Sequence, residues 1–252
     1  MNRNLGADPE FFITDKKGNF ISIIGKIGGT KENPKVIDDF GQFKIQEDNV
    51  AAEYNIPPAN TKEKFIQHIL WPQEYIAKLL GTDKFKISHA ASASFPAKEL
   101  KHPKALEFGC DPDYNAWSLI MNEKPECEDK SFRTCGGHVH FECAQEPEEI
   151  VRIIRNMDKV LGVWSVIIDT DTKRRALYGS AGSFRPQPHG GEYRTMSNFW
   201  IFDPALIGEV FDRAQHAFLL DTPHDSEGDL IQHIINSGDI DAAKQYLRIN
   251  GL

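Results

Sequence analysis

The chain has 252 residues, 40% of them hydrophobic and 26% charged, which is the composition of a globular protein long enough to bury a full core. A formal net charge of −8 argues against a protein that lives on nucleic-acid phosphates. No stretch approaches the roughly 18 apolar residues of a membrane span, and MNRNLGADPEFF lacks the apolar centre of a signal peptide, so a soluble, cytoplasmic protein is expected.

In chain order, residues 5–13 and 18–24 are β-rich runs split by TDKKGN, and they predict an opening hairpin. The glycine-rich stretch GKIGGTKENP lacks the G-x-x-x-x-G-K-[ST] order of a P-loop and reads as a mobile connection. Residues 48–56 read as one strand, ended by IPPAN. A helix follows, capped by Asn60 with Glu63 three residues on, running to about Leu80, with Pro72 as a kink or restart and Gly81 as its stop. Residues 85–95, FKISHAASASF, read as a strand of small and apolar residues, and FGCDPDYNAW as a turn-rich surface loop. Beyond the strand in GGHVHFEC, Pro147 opens a helix in which Ile150, Val151, Ile153, Ile154, Met157, Val160, Leu161 and Trp164 form a core stripe. RRALYGSAGSFRPQPHGGEYRT gives a loop and a strand, and the remainder from Pro204 gives three helices. With no repeat or linker in view, residues 1–252 read as a single domain with a C-terminal helical segment from about 204.

Cys110, Cys127, Cys135 and Cys143 show no C-x-x-C spacing and read as buried thiols, the last two on the strand face opposite His138 and His140. That alternation is the informative pattern. Side chains at i and i+2 of a strand project together, about 6.6 Å apart. It joins Asp8 to Glu10, Glu53 to Asn55, His138 to His140 and Glu192 to Arg194, each against apolar neighbours facing the other way. Solvated strand faces are usually mixtures of Thr, Lys, Ser and Glu, whereas these strands carry two histidines and several acids with few lysines. A metal site on an antiparallel sheet, with helices packed behind it, accounts for the pattern. Acids outnumber histidines, which suits Mg²⁺ or Mn²⁺ better than zinc. Gly136, Gly137, Gly190 and Gly191 allow close approach, and Arg174, Arg175, Arg185 and Arg194 supply cations able to meet phosphate. Carboxylates, metal and arginines together are what phosphoryl transfer needs.

The ordered set GADPEFF, AAEYNIPPA, FGCDPDYNAW, GGHVHF, LYGSAGSFRPQPHGGEYRT and SNFW, over about residues 5–200, resembles the phage-type carboxylate-amine (COOH-NH2) ligases of the glutamine synthetase and glutamate-cysteine ligase superfamily. The resemblance implies an α+β fold whose curved, mainly antiparallel sheet carries the site on its open face. It also implies ATP-dependent amide formation from carboxylate and amine substrates, small molecules or peptides, through an acyl phosphate, with release of ADP and phosphate. By position, Glu10 and Glu53 would hold one metal, and Asp8, His138 and Glu192 the other. His140, Arg185 and Arg194 match positions that meet nucleotide or acyl phosphate, and Arg174 or Arg175 would assist. Asp8 departs from the glutamate common in the superfamily by one methylene. The rival readings are a binuclear metal hydrolase, in which H-x-H and acids activate water, and a nucleotide- or peptide-binding protein without turnover.

Overall fold

The computed structural model describes residues 2–106 and 113–252. The first five residues of FGCDPDYNAW, Cys110 among them, lie outside the described residues.

The central strand is β1 (Leu5–Asp15). Leu5, Ala7, Phe11 and Ile13 are buried on one of its faces, while Gly6, Asp8 and Glu10 alternate onto the other and stay partly accessible. β1 turns into β2 (Phe20–Ile21), so the opening hairpin is present with a short second strand. Residues 25–34 then run to β3 (Lys35–Val36), but they are not a loose connection. The Glu47 carboxylate accepts the backbone N–H groups of Gly25, Lys26, Ile27 and Gly28 at 2.8–3.0 Å. Gly29, at φ +81°, passes so near β4 (Lys44–Asp48) that a Cβ there would lie 2.4 Å from the Ile45 carbonyl oxygen. The loop is a wall wound round one half-buried acid.

The single strand expected over residues 48–56 is also revised. A turn at Asn49, φ +54°, separates β4 from β5 (Ala51–Asn55), and the two pair as a hairpin. Helix α1 (Lys62–Leu80) is capped by Thr61, whose Oγ1 accepts from the Lys64 N–H, one residue later than expected. Pro72 sits inside it without a break, and Gly81 at φ +85° ends it. The strand expected over residues 85–95 is two strands that diverge. β6 (Phe85–Ser88) pairs with β1, whereas β7 (Ser92–Ser94) leaves the main sheet.

After β8 (Tyr114–Asn115) come β9 (Phe132–Thr134), which pairs with β7, and β10 (Gly137–Glu142). The long apolar stripe forms α2 (Pro147–Met157), a π-helical turn over Asp158–Gly162, and α3 (Val163–Ile168) in succession. The loop expected next begins as a helix, α4 (Thr172–Tyr178), because Asp171 caps it through the Arg174 N–H at 2.9 Å. β11 (Ser183–Gln187) and β12 (Gly190–Tyr193) follow as a hairpin, where one strand was expected. The three C-terminal helices are α5 (Pro204–Ala217), α6 (Asp225–Ser237) and α7 (Ile240–Asn250).

The fold is α+β. The main sheet runs β3-β4-β5-β1-β10-β12-β11-β8, with β2 and β6 also on β1, and its strand pairings among the described residues are antiparallel. One face meets α1, α2, α3 and α5 in a core containing Phe11, Tyr54, Phe65, Val139, Tyr193 and Trp200. Phe65 stacks on Trp200 at 6.0 Å, and each such side chain contributes about 1.5–3 kcal/mol by leaving water. The other face is not fully open. Phe12, Val50, Ala51, Ala93, Phe95, Leu100 and Cys135 form a second, smaller cluster under β7 and β9 that covers one end of it.

Cys135 is buried there, but Cys127 and Cys143 are only half-buried, and all three are free thiols. Cys143, just past the end of β10 at Glu142, packs against the edge of the main core and stays half-buried. No described helix is long and apolar enough to cross a membrane.

Removing the Glu47 carboxylate strands four amide donors at once. Glu47→Ala is expected to lower the unfolding free energy by about 2–3 kcal/mol and to speed amide exchange across residues 25–34. Urea denaturation with exchange mass spectrometry checks this, and unchanged protection in the loop would refute the anchoring role.

Candidate active site

Strand register assembles the polar face. Asp8 on β1 lies opposite His138 on β10, and His140 opposite Glu192 on β12, which in turn faces Arg185 on β11. On the other side of β1, Glu10 lies opposite Glu53, and Glu53 opposite Gln46 on β4. Directly opposed residues of antiparallel strands point to the same face. Six strands therefore contribute to one surface.

Two sets of potential ligand atoms result, Asp8, His138 and Glu192 in one and Glu10, Asp48 and Glu53 in the other, each with its atoms within 4.8 Å of one another. The first is buried: His138 Nδ1 is 3.4 Å from both Asp8 Oδ1 and Glu192 Oε1. Asp8 Oδ1 is also 3.2 Å from His140 Nε2, yet neither atom has an aligned hydrogen-bond partner. Gly136 makes the crossing between the sets. A Cβ on it would lie 2.2 Å from His138 Nε2, and its N–H donates to Glu10 Oε2 at 2.8 Å.

Asp48 is the acid that the sequence pattern missed. On a single strand over residues 48–56 it would face away from Glu53, but the turn at Asn49 puts it opposite Ala51 and so on the face of Glu53. Gln187 and Asp113 were missed too. Gln187 Nε2 donates to Glu192 Oε2 at 2.7 Å, and Asp113 Oδ2 lies 3.4 Å from Arg194 Nε. Gln187 shares strand parity with Arg185, which was the available signal; Asp113 sits on a loop, where no periodicity applies.

The arginines divide. Arg194 pairs with Glu192 and approaches His138 Nδ1 at 3.3 Å, and Arg185 lies 3.4 Å from Glu192 Oε2. Arg174 lines the cavity above the acids while donating to the main-chain carbonyls of Cys135, Thr195 and Arg194. Arg175 does not reach the site. It turns into the helical layer, 3.5 Å from Asp169 and bonded to Ser165, which corrects its expected phosphate role.

Two recesses flank the Asp8 set. One, of about 520 Å³, is lined by Glu10, Asp48, His138, Arg174 and Arg194, and the loop wound round Glu47 brings Lys31 and Glu32 to its rim. The other, of about 400 Å³, is more apolar, with Ile56, Pro58 and Phe141 beside Asn55, His140 and His189. His189 Nε2 lies 3.4 Å from His140 Nδ1.

Crowded acids set the electrostatics. Burial, and then the nearby Asp48 carboxylate, push the Glu10 carboxyl up to about 7 against the pull of the Gly136 N–H. Burial and the charges of Asp8, Glu10 and Asp48 raise Glu53 well above the carboxylate range. Burial would also raise Asp8, but His140 and His138 outweigh it and hold the carboxyl low. Burial and Arg194 lower His138, leaving the neutral imidazole that a metal requires. Burial would lower His140 likewise, but Asp8 reverses the sign. Oxygen-rich sets of this kind suit a hard divalent cation, and buried like charges are costly without one.

Glu10 holds its proton more tightly folded than unfolded. Its contribution to stability is therefore complete below about pH 4.5 and is lost as pH rises through about 7. Asp48→Asn, by thinning the acids, is expected to shrink this loss in the metal-free protein and to weaken Mn²⁺ binding by roughly tenfold or more. Thermal melts from pH 4 to 8 with and without Mn²⁺ test it, and a variant that parallels the wild type in both would remove Asp48 from the site.

Residues 129–224 match the family described as Phage phiEco32-like COOH.NH2 ligase-type 2. That segment holds His138, His140, Arg174, Arg185, Glu192 and Arg194, while the four clustered acids before it lie outside. No curated protein matches the sequence. Among solved structures, a bifunctional glutathione synthetase from Pasteurella multocida aligns at 10% identity and TM-score 0.46, over 98% of this chain and 48% of that one. A novel glutamine synthase homolog aligns at 10% identity and TM-score 0.35, over 98% of this chain and 66% of that one. The chain thus spans about half the length of the first and just under two thirds of the second. Over residues 129–224, the chain is similar to the phage-type COOH-NH2 ligases, the group that its motifs resemble.

Proposed function

We propose that this protein is an ATP- and Mg²⁺-dependent ligase that joins a carboxylate to an amine through an acyl phosphate and releases ADP and phosphate. The observation that best supports it is the pair of ligand sets sharing β1, one with Asp8 and one with Glu10, beside the guanidinium groups of Arg194 and Arg174. Asp8, His138 and Glu192 would hold one divalent cation, and Glu10, Asp48 and Glu53 a second. Such cations, when bound, neutralise phosphate oxygens and position the nucleotide.

In the proposed reaction a substrate carboxylate oxygen attacks the γ-phosphorus, the bond to the bridging oxygen breaks, and ADP leaves. The amine then attacks the acyl carbon, phosphate departs with the electron pair of the C–O bond, and the nitrogen gives up one proton to the phosphate or to water. Arg174 is suited to meet the anions on this path. Its side chain is almost fully buried, and among the described residues no carboxylate comes within ion-pair distance of it. A buried cation held by neutral carbonyls is costly until an anion arrives. Arg194 and Arg185, held at Glu192, stand where developing charge on the phosphoryl group would gather.

With ATP, Mg²⁺ and pooled carboxylates and amines, amide product is expected in step with ADP and phosphate. AMP and pyrophosphate would overturn the mechanism, and metal-dependent cleavage without ATP would favour a hydrolase. The two histidines should differ in kind. His138→Ala removes a metal donor, so the Mg²⁺ needed for half-maximal activity should rise, with partial recovery at high Mg²⁺. His140→Ala leaves the ligand sets whole and should lower turnover on the order of a hundredfold, with no rescue by metal. A Mg²⁺ titration of each variant at saturating ATP decides this, and rescue of His140→Ala alone would reverse the roles.

A further inference from the structure

Behind the sheet, on the face away from both recesses, the π-helical turn between α2 and α3 carries an acid that the reaction above does not use. Asp158 is fully buried. Its Oδ2 accepts from Trp117 Nε1 at 2.7 Å, and its Oδ1 accepts from the Tyr193 hydroxyl at 2.7 Å and, more weakly, from Thr195 Oγ1 at 3.4 Å. Burial raises its carboxyl to about 7 against the pull of these donors. A carboxyl is costly in such a place, and the cost is offset only by what it ties together.

The three donors come from two chain segments that meet again at the site. Tyr193 and Thr195 immediately flank Arg194. Trp117 anchors the loop that carries Asp113: its ring lies over Gly182 and Gly228, where a Cβ would come within 2.6 Å and 2.5 Å of it, and the Arg155 guanidinium covers it at 5.1 Å. Asp113 in turn lies 3.4 Å from Arg194 Nε on the recess wall. Gly162, one turn beyond Asp158, completes the packing, because a Cβ there would come within 2.6 Å of the Tyr193 hydroxyl.

We propose that Asp158 is a positioning residue for the site: by holding Trp117, Tyr193 and Thr195 from behind the sheet, it fixes the Arg194–Asp113 pair on the recess wall. It touches no substrate. Strand β12 alone would leave Arg194 at a strand end and Asp113 on an irregular loop, and the carboxyl joins the two at a common point.

The test compares Asp158→Asn, Tyr193→Phe and Trp117→Phe with Ile76→Val, a core truncation in α1 remote from the network. Amide exchange needs no ligand. In each of the three variants, exchange over residues 113–117 and 190–197 is expected to quicken roughly tenfold while β4, β5 and α1 keep wild-type protection. Calorimetry with Mg-ATP, which rests on the ligase reading, is expected to show roughly tenfold weaker binding in the three variants and none of this loss in Ile76→Val. Uniform quickening across the chain, or loss of affinity in Ile76→Val to the same degree, would reduce Asp158 to a general stabiliser and overturn the proposal. If Asp158→Asn fails to fold, the two aromatic variants carry the test. A wild type that does not bind Mg-ATP counts against the ligase reading alone, and the exchange pattern still decides the role of Asp158.

Discussion

The constraint on which the rest depends is the two-residue period of β1. With Ala7, Phe11 and Ile13 committed to the core, Asp8 and Glu10 have no choice but to project together onto the opposite face. A slip of one residue would bury both acids among the helices and expose the apolar set. The hydrophobic cost of that slip holds the register, and the register holds the chemistry. The other strand-borne polar side chains of the site are placed by pairing with β1, directly or through one or two further strands, whereas Arg174 comes from α4 and Asp113 from a loop.

That placement concentrates like charge. Glu10, Asp48 and Glu53 converge where burial keeps water from screening them, and the carboxyls of Glu10 and Glu53 hold protons more tightly as a result. Cations stand around the acids, Arg194 and Arg185 at Glu192 and Arg174 above the cavity. The fold tolerates this because the apolar face behind the sheet is large, with Phe11, Tyr54, Val139, Phe141 and Tyr193 all buried on it. Stability is generated on one face of the sheet and spent on the other.

Glycine and capping chemistry tune the arrangement locally. Gly136 admits the His138 ring and lends its N–H to Glu10, so one residue without a side chain touches both ligand sets. Glu47, next to Asp48, points the opposite way and gathers the amides of residues 25–28, which turns a glycine-rich stretch into a wall of the larger recess. Neighbouring acids on one strand thus do opposite work, one toward the site and one toward the loop that borders it.

The sequence by itself determined whatever follows from local period and spacing. It paired Asp8 with Glu10 and His138 with His140, it placed the core stripe from Ile150 to Trp164, and its ordered motifs resembled the ligase group, to whose family model the later motifs are similar over residues 129–224. The tertiary structure decided whatever depends on where strands break and which segments meet. A turn at Asn49 reversed the parity of Asp48, the divergence of β6 and β7 covered one end of the polar face, and Asp169 with Ser165 drew Arg175 away from it. The physical reason is the same in each case. Alternation fixes which way a side chain points relative to its own strand, whereas pairing partners and loop contacts come from residues far away in sequence, and no local pattern encodes them.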